Sequence, residues 1–411
     1  MVKDALNDLL AGSPAMYRRE KDRDFNPFAP TFSGMKFLHW YDCRVEPEED
    51  LILPELVGFG QEEDEDEDEE DAQMQISPEE ERAQERREAL QQREKADRLI
   101  LDFGSGEQSA VLSSQYYILL ISGNNGRAMV RRYEHGSYET LRANLDQWRE
   151  DLALSNGLGT DTIRPYKLTY RFTRLVKDQK KTGKELSDQM KKELAGITPA
   201  IVAAIFNGTP LPDAVAVRAL AYIRSKMLAP PPKEGSKKDR RFANLPDGVA
   251  CQWLKVWLVR KSRMRKEGTV LTMSYDREFP NAAYHCGALM AIYADLQRAA
   301  MGEVNATIVQ RFYASASRTP TLVLGTLERM GEVYLGQLRK EKKGLVKIYE
   351  QRLNDVYSFF GKDGFRQLPA ALNLEEQSYF ALGYRQMCTQ MNADKSAAKA
   401  AKEEETENGR N

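Results

Sequence analysis

The stretch Tyr116–Tyr133, YYILLISGNNGRAMVRRY, decides the class of fold. Its first six residues, YYILLI, have the composition of a buried strand, and Gly123-Asn124-Asn125-Gly126 follows as a turn. Arg127–Tyr133 (RAMVRRY) then returns as a second strand. Just downstream, Ser137 stands where it can cap a helix whose Leu141, Leu145, Trp148 and Leu152 fall on one face at i, i+4, i+7 and i+11. Upstream, Lys36–Cys43 (KFLHWYDC) also has strand composition. Together these segments predict a small mixed α/β domain over residues 1–160.

That domain is interrupted. Residues 46–76 lose hydrophobic pattern and contain ten consecutive acids, Glu62–Asp71. Ser77-Pro78 then opens a strongly helix-forming but almost stripe-free segment. Residues 46–98 therefore read as a disordered acidic insertion followed by a solvated, charged helix. Residues 2–11 read as a short helix and Phe25–Pro30 as a loop. After Asp161 the strand signals largely stop. Tyr166–Phe172 alternates aromatic and basic residues, over too short a span to separate a strand from a helix start. Helices are expected at about 184–195, 198–207, 213–228 and 247–262, with an exposed basic loop after Pro230-Pro231-Pro232. From Asn281 the pattern is helical throughout, at about 281–301, 304–316, 319–341, 344–359 and 374–391. The short connections favour an antiparallel bundle. The expected architecture is α+β: the small α/β part, a basic helical region over 161–268, a C-terminal helical bundle over 269–391 and a disordered tail over 392–411.

Charge divides the same way. The 411 residues carry 60 Lys and Arg against 62 Asp and Glu, for a net charge of −2. Without the ten-acid run the remainder is at +8, and between Arg164 and Gly268 twenty-four basic residues face nine acids, a surplus of +15. Such asymmetry points to a polyanionic partner. Basic clusters lie at Lys167, Arg171, Arg174, Lys177, Lys180 and Lys181; at Lys233, Lys237, Lys238, Arg240 and Arg241; and at Arg260, Lys261, Arg263, Arg265 and Lys266. Arg127, Arg131 and Arg132 on the returning strand form a weaker fourth group. Each cation near a phosphate releases a condensed counterion, so these clusters are candidates for gripping a nucleic-acid backbone without reading its sequence. Tyr166, Tyr170, Phe172, Trp253 and Trp257 lie among the charges and could stack on bases. Aromatics at such periodic spacing are more often core.

Enzyme chemistry finds little support. Asp102-Phe103-Gly104 copies a kinase triplet without the rest of a kinase. Lys181-Thr182-Gly183-Lys184 continues with Glu and lacks the upstream glycine of a phosphate loop. His39, His135 and His285, the only histidines, have no partner at ligand or acid–base spacing, and Glu375-Glu376 suits a helix start. Cys43, Cys251, Cys286 and Cys388 form no CxxC pair, which leaves free thiols in a reducing compartment and neither metal nor other cofactor. The acids of MVKDALNDLL exclude a signal peptide there. The longest uncharged stretch, Leu194–Pro212, is broken by Gly and Pro. A soluble, cytoplasmic protein is expected.

Four stretches add a resemblance: Asn281–Leu289 (NAAYHCGAL), Asn305–Pro320 (NATIVQRFYASASRTP), Leu374–Gln386 (LEEQSYFALGYRQ) and, more weakly, Gly126–Leu152. They resemble the large subunit of type I-C CRISPR surveillance complexes (Cascade), over about Tyr116–Met391. Residues Tyr384-Arg385-Gln386 stand where that family usually has Tyr-Tyr-His-Gln. The family begins with a substantial N-terminal domain expected to read the protospacer-adjacent motif, so the resemblance is to a divergent or N-terminally shortened member, and motif reading is assigned to no residue. It implies a non-catalytic subunit. Its partners are crRNA and target DNA, the backbone and small subunits of Cascade, and the helicase-nuclease that it helps recruit in antiviral defence. The alternative is a standalone relative that docks through its bundle as a regulator without engaging DNA. The family's bundle is similar to the small subunit and can be made by internal translation, for which Met264 and Met273 are candidate starts.

Overall fold

A computed structural model describes residues 31–32, 35–43, 45, 50–52, 113–124, 127–155, 160–161, 193–228, 245–267, 271–302, 304, 306–361 and 368–408. The expected helix over 2–11, the loop at 25–30, the acid run, the charged helix after Ser77, the alternating stretch 166–172 and the basic loop after Pro230 lie outside them. The architecture is α+β, with an antiparallel sheet followed by helices. The chain forms two compact units: residues 1–150 with 162–209, and residues 151–161 with 210–411.

The first unit is built on the sheet. β1 (Thr31–Phe32), β2 (Met35–Tyr41), β3 (Gln115–Asn124) and β4 (Arg127–Ser137) run antiparallel in the order β1-β2-β3-β4. Trp40 pairs with Tyr117 and Tyr117 with His135; the register shifts at a bulge between Leu120 and Ile121. Alternation sends Met35, Phe37, Tyr116, Ile118 and Leu120 to the buried face. The sequence continues into α1 (Tyr138–Leu152). Here the amide of Thr140 donates to Ser137 Oγ at 3.2 Å, the expected cap, and all four stripe residues are buried.

α2 (Thr198–Asn207) begins with Pro199 in its first turn and ends at Gly208, whose φ of 65° is the left-handed conformation glycine adopts without strain. Phe206 lies 5.8 Å from the ring of Phe37. The polar groups at this junction are mutually satisfied. Asn144 Nδ2 donates to the Phe206 carbonyl at 2.7 Å, Tyr116 Oη to Asn207 Oδ1 at 2.5 Å, and Asn207 Nδ2 to Glu134. Burial, with Glu134 adding, pushes the Tyr116 hydroxyl up to about 12. Within the stretch expected to be patternless, residues 50–52 are described: Asp50 accepts from His39 Nε2 at 2.8 Å and from Tyr41 Oη at 2.9 Å, and Ile52 is fully buried.

The second unit holds the short pair β5 (Leu154–Ser155) and β6 (Thr160–Asp161) and the helices α3 (Asp213–Leu228), α4 (Gly248–Met264), α5 (Ala282–Met301), α6 (Ile308–Ala316), α7 (Pro320–Glu341), α8 (Lys343–Tyr357) and α9 (Leu374–Asn408). α5 and α9 form its most intimate pair; α7 also lies on α5, α4 on α9, and α3 on α4 and α6. The helix starts are specified residue by residue. Asn281 accepts from the Tyr284 amide at 3.0 Å, Thr307 and Gln310 form a reciprocal capping box, Pro320 opens α7, and Asn373 and Glu376 cap each other's amides.

α5 and α9 cross closely enough that glycine is required on both. A β-carbon on Gly287 would stand 2.0 Å from the Phe380 carbonyl oxygen, and one on Gly383 would stand 2.0 Å from that of Tyr284. Beside this crossing Tyr284 Oη donates to Gln386 Oε1 at 2.6 Å, and Gln386 Nε2 donates to the Thr272 carbonyl at 2.8 Å. α9 runs to Asn408, past the expected end at Met391. Two ion pairs hold the first of the added turns: Lys395 reaches both oxygens of Asp295, at 2.6 and 2.8 Å, and Arg352 reaches Asp394 at 2.7 Å.

Candidate nucleic-acid interface

The third basic cluster lies at the C-terminal end of α4. Lys261 and Arg263 occupy its last turn, where cations oppose the negative end of the helix dipole. Its residues have different fates. Arg260 is buried, and its Nε donates to Asp151 Oδ2 at 3.0 Å. Burial lowers its affinity for the proton, which Asp151 counteracts. Arg263 grips the same carboxylate at 2.7 and 3.2 Å, while its side chain stays 48% exposed. Two guanidinium groups on one carboxylate leave net positive charge here, and Arg263 presents it to solvent.

Lys261 extends over the Trp257 ring, 4.5 Å from its centroid, and pairs with Glu375 at 2.8 Å. Arg265 forks onto Glu375 at 2.8 and 2.9 Å, and the hydrogen bonds from Arg265 and Lys261 hold the Glu375 carboxyl below the usual range. Glu375 and Glu376 thus have separate tasks, an ion pair and a helix cap. Arg260 serves packing, whereas Lys261 and Arg263 are partly accessible. Trp253 and Trp257 are buried core residues.

On β4, Arg127 is placed by its backbone alone. Arg131 is exposed at the bulge with its Nε donating to Ser122 Oγ at 2.6 Å, and Arg132 bonds Glu134. Lys167, Arg171, Arg174, Lys177, Lys180, Lys181, Lys237, Lys238, Arg240 and Arg241 lie outside the described residues, as do Asp102-Phe103-Gly104 and Lys181–Lys184.

His285 is fully buried, with Nε2 2.7 Å from the Phe279 carbonyl oxygen and Nδ1 2.8 Å from Tyr275 Oη. The carbonyl only accepts, so Nε2 carries the proton and Nδ1 accepts from the tyrosine. Burial depresses the pKa of this histidine. None of the four cysteines forms a disulfide; burial pushes the thiols of Cys251 and Cys388 up to about 12 and that of Cys286 higher, which suppresses the reactive thiolate. Among the described residues no three His, Cys, Asp or Glu side chains are grouped to hold a metal ion, and no helix is long and apolar enough to cross a membrane.

Trp40 and Tyr133 were not among the sequence candidates, yet both are exposed on the sheet, 43% and 48% respectively. Strict alternation in KFLHWYDC, with Phe37 and His39 turned one way and Trp40 the other, is the signal that marks Trp40; Tyr133 is placed on the same face by its pairing with Leu119.

A family model described as CRISPR-associated protein (Cas_Csd1) matches residues 5–391. The chain belongs to this CRISPR-associated family. The matched range takes in residues upstream of Tyr116, where the motif resemblance begins, and so includes the acidic segment. A search of curated proteins finds no match. In this Cas_Csd1 member the four motif stretches map onto the start of α5, the capping box of α6, the α9 crossing and the β4–α1 connection.

Proposed function

We propose that this Cas_Csd1 chain is the large subunit of a type I-C CRISPR surveillance complex, a cytoplasmic, non-catalytic scaffold. It holds crRNA-guided target DNA and the displaced strand and helps recruit the helicase-nuclease. The family match over residues 5–391 carries this reading. The surplus of +15 between Arg164 and Gly268 supports it: where base pairing supplies specificity, the protein need only grip backbone and shape. Backbone and small subunits of Cascade are the protein partners on this reading. Met264 ends α4 and Met273 precedes α5, so internal translation from either would yield α5–α9 intact.

The test is salt-dependent binding of duplex DNA by the protein alone and within a crRNA-loaded complex. Reversing charge at Lys180, Lys181, Arg240 and Arg241 together flattens the slope of log affinity against log salt by about 4, near one unit per lost phosphate contact. An unchanged slope removes those positions from the contact surface. Co-purification with the backbone subunits and no DNA binding would replace this reading with a docking regulator. Metal-dependent cleavage by the purified chain would replace both with a nuclease.

A further inference from the structure

The outward face of the β1–β4 sheet carries a contiguous aromatic surface. Register places Trp40, Tyr117 and His135 in one row across three strands, with Leu38, Leu119 and Tyr133 in the next. Trp40 and Tyr117 stack with centroids 5.3 Å apart and planes within 8°; Tyr117 and His135 stack at 6.3 Å, and Tyr133 lies 5.5 Å from His135. These rings do not form a core. Trp40 is 43% exposed and Tyr133 48%, while the opposite face holds the buried set Met35, Phe37, Tyr116, Ile118 and Leu120. Large rings ordered against one another yet left in water mark a surface that meets something apolar and flat.

The charge around the face narrows the occupant. Lys36 occupies an outward position of β2, and Arg131 is exposed at the bulge beside this face. No outward position of β2, β3 or β4 among the described residues holds a carboxylate: Glu134 turns inward and is buried, and Asp42, at the rim, is engaged by the Gln115 amide. A face with π-surfaces at its centre and cations at its margin fits unpaired bases with their phosphates. A paired duplex hides its base faces in the stack and offers little to such a surface.

We propose that Trp40, Tyr133 and their stacked neighbours Tyr117 and His135 form a platform for unpaired bases of single-stranded DNA. The choice of DNA over RNA rests on the function proposed above; the platform itself rests on the sheet geometry.

Tryptophan fluorescence isolates the event. Of the four tryptophans, Trp148, Trp253 and Trp257 are at most 1% exposed, so quenching by a stacked base reports Trp40. Titrating a thymidine oligonucleotide of about 15 residues, within the range of known single-strand sites, into the full chain quenches emission, and Trp40→Phe abolishes the quench. Trp40→Ala and Tyr133→Ala each weaken single-strand binding about tenfold, and leave duplex binding and the melting temperature unchanged. Unaltered single-strand affinity in the double variant overturns the proposal, as do equal losses for duplex and tighter binding of the matching RNA. If these variants are silent while reversals at Lys180, Lys181, Arg240 and Arg241 still flatten the duplex salt slope, the platform fails and the large-subunit reading stands.

Discussion

Replacing Gly287 or Gly383 with alanine probes the geometry that organises the second unit. The new β-carbon at 287 would sit 2.0 Å from the Phe380 carbonyl oxygen and 2.9 Å from the Tyr384 nitrogen. Ordinary contact is at about 3.5 Å or more, so the helices must part by roughly 1.5 Å. The obstructing atoms are backbone and cannot rotate away. Parting loosens the flanking contacts of Ala283, Tyr284, Phe380 and Tyr384, all at most 2% exposed. Forced overpacking of this kind costs about 3 kcal/mol at the upper end of its usual range. The better helix propensity of alanine returns about 1 kcal/mol, leaving a net loss of about 2 kcal/mol. For a unit of this size that lowers the melting temperature by roughly 4–8 °C.

The matched controls are Gly325→Ala and Gly336→Ala in α7, where a β-carbon meets nothing within 4 Å. They gain the propensity without the clash and raise the melting temperature by roughly 2–4 °C. Thermal melts of the full chain, followed by near-ultraviolet circular dichroism, compare the two pairs. The Gly287/Gly383 double variant loses less than the sum of its parts, because one separation of α5 from α9 relieves both clashes. If Gly287→Ala melts at or above the parent, the close crossing is not the constraint argued here.

Asp151→Asn leaves Arg260 buried without its counter-charge and costs about 3–5 kcal/mol; adding Arg260→Met recovers much of that loss, and urea unfolding of the two variants measures it. His285 gives the fold an acid sensitivity of known sign. Its folded pKa lies below the ordinary 6.5, so between those two values the unfolded chain binds a proton that the native state does not. This contribution is full above pH 7 and falls below pH 6.5, by at most about 1.4 kcal/mol per pH unit. His285→Gln removes this part of the pH dependence, and stability curves from pH 5 to 8 that superpose for the two proteins would rule the mechanism out.

The elements that could be read from sequence were those with strong local determinants. Ser137 and Asn281 cap where the sequence placed helix starts, Leu141–Leu152 forms the expected stripe, and β3 and β4 flank the predicted turn. What was not legible depended on partners distant in the chain. Asp50 belongs to no local pattern, and its bonds to His39 and Tyr41 join it to a strand distant in the chain. The stretch after Met391 has no apolar stripe, and its first turn is held by Asp295 and Arg352, residues on α5 and α8. Arg260 looked like its neighbours in a basic run; helix phase turned it inward to Asp151, while Arg263, three residues on, stays half exposed. Charge counts do not carry that phase.

The motif residues explain why family membership says more about architecture than about contacts with nucleic acid. Asn281, Thr307 and Gln310 set helix starts, Gly287 and Gly383 admit a backbone crossing, and Tyr284 with Gln386 closes a buried hydrogen bond. Each such task accepts one or two residue types at one position, so it leaves a sharp sequence signature. Gripping a phosphate chain is different. The chain is periodic and offers charge at every step, so a lysine displaced by one turn or one loop residue finds another phosphate at similar cost. A surface selected for charge density leaves a compositional bias in place of a motif, and the +15 surplus is a bias of that kind. Base stacking lies between the two: it needs rings on one face at strand spacing, a pattern of period two that Trp40, Tyr117, Tyr133 and His135 satisfy only once the register of β2, β3 and β4 is known.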